Sequence, residues 1–71
     1  LKTVELKGVD FSAYKTDKIY ININTDAAGT LTNLDVTGAK GLAKVYVGSN
    51  AVIEDANFKH DAGVELVRAN E

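Results

Sequence analysis

From Leu31 onward, apolar residues recur on a fixed grid. Leu31, Leu34 and Val36 are followed eleven residues later by Leu42, Val45 and Val47. Ile53, Ala56 and Phe58 come next, and then Val64, Val67 and Ala69. Positions one, four and six of an eleven-residue unit are apolar in every copy. For a chain with 45% apolar residues, agreement at all these places by chance is on the order of one in ten thousand before allowing for the choice of period and phase.

An eleven-residue period can mark a helical supercoil, but the pattern inside the unit argues against it. A helical stripe needs apolar residues at offsets of three, four, seven and eight. The eighth positions here hold Gly38, Ser49, His60 and Glu71, and Gly38, Gly41, Gly48 and Gly63 fall between the apolar triplets. In a long helix each glycine would cost about 1 kcal/mol. Positions four to six instead read as a short strand alternating in, out and in, followed by a turn. Stacked units of this kind bury a continuous apolar interior, which is the logic of a solenoid.

The first thirty residues follow a different rhythm. Thr3-Val-Glu-Leu-Lys7 alternates and stops at Gly8, while Ile19, Ile21 and Ile23 share one face of a second strand against Tyr20, Asn22 and Asn24. Asp10 to Asp17 between them is a polar connection with room for one helical turn. The expected fold is therefore all-β, a single domain over residues 1–71. Residues 1–30 form a β-hairpin-like cap, and residues 31–71 form four eleven-residue units. The alternative is α+β: Asn50 can cap a short helix around 50–60 with Val52, Ile53 and Ala56 inward. The expected core is Leu31, Leu34, Val36, Leu42, Val45, Val47, Ile53, Phe58, Val64 and Val67, with Ile19, Ile21 and Ile23 beside them.

Composition narrows the function classes. The 71 residues include no Cys, Met, Trp or Pro, which excludes a disulfide framework, a Cys-based zinc site and thiol chemistry. No apolar run is long enough for a membrane-spanning helix. A net charge of −2 has the wrong sign for a dedicated nucleic-acid binder. A chain of this length buries only about 60% of its unfolded surface, so good packing or neighbouring protein must supply stability. Opening on Leu1 with no Met, it reads as a processed protein or an excised part of a longer one.

The stretch from Leu31 to Asn50, with Leu31, Leu34-Asp-Val36, Gly38, Leu42, Val45 and Asn50, resembles the leucine-rich repeats of Bacteroidetes surface proteins. Those carry strings of the form L-x-x-L-D-V-S-G-x-x-x-L-x-x-L-x-x-S-x-N. The likeness covers about 20 residues well and the tail to Glu71 loosely. It departs at Ala56 and Phe58, and where Lys59 and His60 fill small-polar positions. The resemblance implies an exported, cell-surface or secreted repeat protein that binds rather than catalyses.

The residues themselves supply little chemistry. His60 precedes Asp61, and Ser12 and Ser49 lie elsewhere, but nothing resembles a nucleophile elbow; a surface histidine in a polar turn is the better reading, and no catalytic residue is assigned. Asn22, Asn24 and Asp26 alternate as calcium-loop ligands do, yet Ala27 and Asn33 stand where an EF-hand needs Gly and Glu. Gly38-Ala-Lys40-Gly41 lacks the phosphate-loop frame. No metal or cofactor is expected.

Tyr20 and Tyr46 are the mild functional signal. Both take outward positions of predicted strands, and with Asn22 and Asn24 they form a candidate surface for a protein or carbohydrate, where rings stack and amides hydrogen-bond. The expectation is a non-catalytic extracellular binding or adhesion module. The alternative is a structural subunit of a fibre, pilus or capsid decoration, its open strand edges completed by self-association.

Overall fold

Six short strands and two single 3-10 turns are the regular elements of the computed structural model, which describes residues 3–21 and 30–68. The protein is all-β: no α-helix occurs among these residues. Strands β1 (Thr3–Glu5), β3 (Asn33–Asp35) and β5 (Phe58–Lys59) form one sheet in that order, and β2 (Lys18–Ile21), β4 (Lys44–Val47) and β6 (Glu65–Arg68) form the other. Every pairing is parallel. The chain thus makes three passes, each leaving one strand in each sheet.

The side-chain alternation of each strand decides what fills the space between the sheets. Val4, Leu34 and Phe58 are register partners, as are Ile19, Val45 and Leu66. Leu31, Leu34, Val36 and Val45 are almost fully enclosed, and Val4, Leu6, Val9, Ile19, Ile21, Phe58 and Leu66 pack around them half-buried. Backbone bonds also stitch the corners. The Phe11 N–H donates to the Lys40 carbonyl at 2.9 Å, the Lys40 N–H to the Val9 carbonyl at 2.9 Å, and the Ala43 N–H to the Asp17 carbonyl at 2.7 Å.

The first pass carries a 3-10 turn at Phe11–Tyr14, capped by the Asp10 carboxylate, which accepts from the Ser12 N–H. It is the single helical turn expected in the polar connection, and it inserts Phe11 into the core. Gly41, at φ +77, lies directly beneath it. A β-carbon at that position would sit 3.1 Å from both the Ser12 nitrogen and the Ser12 β-carbon. Two conditions therefore favour glycine there, a left-handed backbone and a close approach between passes.

Several expectations need correction. β1 and β2 do not pair as a hairpin: they lie in different sheets and pair with β3 and β4. The segment around 50–60 is no α-helix; it holds a 3-10 turn at Asp55–Asn57 and then β5. That turn leaves Ala56 exposed and delivers Phe58, not Ala56, beneath Leu34. In β6, Leu66 pairs with Val45 and packs on the core, so Val67 falls on the outward face beside Tyr46. The eleven-residue spacing holds from Leu34 to Val45 (45 − 34). Their partners stand 15 apart in the first pass (Val4 to Ile19) and 8 apart in the third (Phe58 to Leu66). Ile23 and Ala69 lie outside the described residues.

Candidate functional site

The two sheets present outward faces of different character. On the β2-β4-β6 face, the outward columns are Lys18, Lys44 and Glu65, then Tyr20, Tyr46 and Val67. The parallel register sets Tyr20 directly beside Tyr46 although 26 residues separate them (46 − 20). Their rings stack with centroids 4.7 Å apart and planes inclined by 16°. Tyr20 is 69% exposed, so the outer ring of the stack meets solvent. Val67 extends the column on the other side of Tyr46, giving a short apolar stripe with the charges of Lys18, Lys44 and Glu65 along one border.

Two of the four candidate residues are thus brought together. Asn22 and Asn24 lie outside the described residues, as does the Asn22, Asn24 and Asp26 calcium-like triplet. Sequence reasoning named the tyrosines but missed that they stack. The signal was present: Lys18-Ile-Tyr-Ile and Lys44-Val-Tyr-Val are the same tetrapeptide pattern, and aligning them yields the observed register.

The β1-β3-β5 face is polar throughout. Thr3, Glu5, Lys7, Asn33, Asp35, Asn57 and Lys59 line a shallow open groove of about 400 Å³. Glu5 and Asp35 are direct cross-strand neighbours of like charge, an arrangement that ordinarily destabilises a pair. Lys7 lies between them, its Nζ 3.3 Å from Glu5 Oε2 and 3.8 Å from Asp35 Oδ2. The Asp35 carboxylate also accepts from the Thr37 hydroxyl at 2.6 Å and the Thr37 N–H at 2.9 Å. Those bonds, the hydroxyl foremost, hold its carboxyl below the usual carboxylate range, helped by Lys7 and Lys59. Asp10 is lowered by the same device, first through the Ser12 hydroxyl and then through its N–H.

The remaining polar residues are engaged elsewhere. The Ser12 hydroxyl donates to Asp10, and Asp61 Oδ2 accepts from the Gly38 N–H at 2.9 Å. The His60 ring stacks on Phe58 with centroids 4.3 Å apart, its Nδ1 2.8 Å from the Asp61 carbonyl. Arg68 occupies an inward register position below Val47, but its guanidinium turns to the Ile53 carbonyl at 2.8 Å and Asp55 Oδ1 at 2.9 Å. Among the described residues, no three acidic or histidine side chains gather in a metal-ligating cluster. Compared with known proteins, the chain matches no family model, no curated protein and no solved structure.

Proposed function

We propose that the chain is a non-catalytic binding and adhesion module of a secreted or cell-surface repeat protein, a β-solenoid of leucine-rich-repeat type. Its outward β2-β4-β6 face would engage a protein or carbohydrate. The carrying observation is the exposed Tyr20–Tyr46 stack. Stacked rings on a rigid sheet offer flat apolar area with hydroxyls at the rim and lose little rotamer freedom on binding. The solenoid reading is supported by the all-parallel pairing of three successive passes in both sheets. The exported location rests on the resemblance of residues 31–50 to surface-protein repeats.

The test is a titration with a panel of oligosaccharides and unstructured peptides, followed by NMR on the tyrosine ring signals. The Tyr20→Ala/Tyr46→Ala variant should bind the best member of that panel on the order of 10- to 100-fold more weakly, since each ring contributes about 0.5–1.5 kcal/mol. Its backbone spectrum should otherwise be retained. Equal affinity in the variant would overturn the assignment of this face.

One observation favours a second reading, a structural subunit of a homo-oligomeric assembly. Both sheets end on strands whose outer edges pair with no strand among the described residues: β1 and β2 at one end, β5 and β6 at the other. Parallel edges of this kind are templates for further strands.

A further inference from the structure

We propose that copies of this chain stack head to tail, with β1 and β2 of one copy adding in parallel, in register, to β5 and β6 of the next. This deepens the assembly reading and rests on it. Because β1, β3 and β5 are in register, and β2, β4 and β6 likewise, one translation of three strand spacings, about 14 Å, seats both strands at once.

Most of the side chains that this translation brings together are complementary; the exception is Arg68, which meets the next copy's Ile21. On the first sheet the outward column runs Glu5, Asp35, Lys59 and then the next copy's Glu5. On the second it runs Lys18, Lys44, Glu65 and then the next copy's Lys18. Within one copy each column contains a like-charged pair at the β1/β2 end, Glu5 with Asp35 and Lys18 with Lys44. At the junction both terminal charges meet the opposite sign. Continuing the first register by two residues also sets Asp61 against the next copy's Lys7. In the inward columns Phe58 meets Val4 and Leu66 meets Ile19, all four half-buried and apolar. Tyr20 follows Val67 and continues the outward apolar stripe. A head-to-tail contact that repeats by translation does not close, so it builds a filament rather than a ring.

The charge pattern supplies a variant that separates folding from assembly. Glu5→Lys/Lys18→Glu leaves the net charge at −2, because one reversal cancels the other. Inside the copy it turns both like-charged pairs into opposite ones and gives up the exposed Glu5–Lys7 ion pair, so the melting temperature should hold to within a few degrees. At the junction it sets Lys against Lys59 and Glu against Glu65, so association should weaken on the order of tenfold or more.

The experiment is sedimentation velocity on the 71-residue chain over a wide concentration range, with thermal unfolding on the same samples. The expected result is a mass that grows with concentration for the parent chain and stays near 7.6 kDa for the double variant. Adding Lys59→Glu and Glu65→Lys to that variant restores the junction signs and should restore growth. A parent chain monomeric at every concentration overturns the assembly reading and this inference together. Association undiminished by the double variant overturns the head-to-tail register alone and points to another contact surface.

Discussion

The middle and third passes use the same kinds of residue but bury them to different depths. In the middle pass Leu34, Val36, Val45 and Val47 are all enclosed, with a strand on either side in each sheet. In the third pass their counterparts Phe58 and Leu66 are only half-buried, and His60 and Arg68 take inward columns at the open end. All the buried apolar residues except Phe11 and Val64 fall between Leu31 and Ile53. The difference teaches that burial here depends on neighbours in the stack more than on residue type. A strand flanked on both sides holds a small aliphatic residue more tightly than an end strand holds an aromatic ring.

The largest test of that contrast inverts the usual ranking by side-chain size. Leu34 and Phe58 are cross-strand partners. Leu34→Ala removes a side chain that is 1% exposed and should cost about 3 kcal/mol, within the range for a buried leucine. In a domain this small that is enough to leave much of the chain unfolded. Phe58→Ala removes more atoms yet should cost about 1–2 kcal/mol, because the ring is only half-buried and has the exposed His60 ring as a neighbour. Urea unfolding of the two variants decides it, and a larger loss for Phe58→Ala would break the comparison.

A second contrast concerns the turns. Gly41, in the middle pass, and Gly63, in the third, both have left-handed backbones, at φ +77 and +86. A β-carbon at Gly63 meets nothing within 4 Å, whereas one at Gly41 strikes Ser12 at 3.1 Å. Gly63→Ala should cost about 1 kcal/mol, the ordinary penalty of that backbone region. Gly41→Ala should cost about 2 kcal/mol or more, since the first and middle passes must also separate. Equal losses in thermal melts of the two variants would mean that the passes are not held as closely as Gly41 and Ser12 indicate.

The same difference governs what could be read from the sequence. The middle pass was legible because Leu31, Leu34, Val36, Leu42, Val45 and Val47 keep strict spacing, and all six are buried. Register was lost where connections change length. The 3-10 turn at Asp55–Asn57 and the tight turn at Gly63 shift Phe58 and Leu66 by +2 and −1 from the eleven-residue grid positions 56 and 67. An apolar count is blind to such shifts, because Ala56 and Val67 satisfy it equally well. The first pass was misjudged for another reason. Two alternating strands adjacent in sequence suggest a hairpin, and only long-range pairing tells that each joins a different sheet. Of the candidate site, the outward tyrosines were legible individually; their contact needed the register between passes.

The shifted register of the last strand gives a smaller, sharper test. Leu66 faces the core and Val67 faces outward beside Tyr46. Leu66→Ser should therefore cost about 1–2 kcal/mol by loss of half-buried apolar area, while Val67→Ser should stay within about 0.5 kcal/mol. On the unbroken eleven-residue grid the order reverses. Chemical denaturation of the pair thus reads which residue is inward. A costly Val67→Ser would restore the regular repeat and remove the distinction between middle and third passes.

The smallest expected effect is electrostatic and belongs to the first and middle passes. Asp10 in the first pass and Asp35 in the middle pass each accept bonds from the hydroxyl and N–H of the residue two places on, and both carboxyls are lowered. The third pass has no such pair: Lys59 stands at the Asp35 position, and Asp61 serves the Gly38 N–H instead. A carboxyl lowered by folding stabilises the native state once pH exceeds its unfolded value of about 3.9, and that contribution disappears as pH falls through the lower folded value. The urea midpoint should therefore be level from pH 7 to about 5 and decline below about 4. Thr37→Val deletes the hydroxyl bond to Asp35 and should make the acid decline shallower. An equal decline in parent and Thr37→Val would show that the acid sensitivity arises elsewhere than in these Asp-x-Ser/Thr turns.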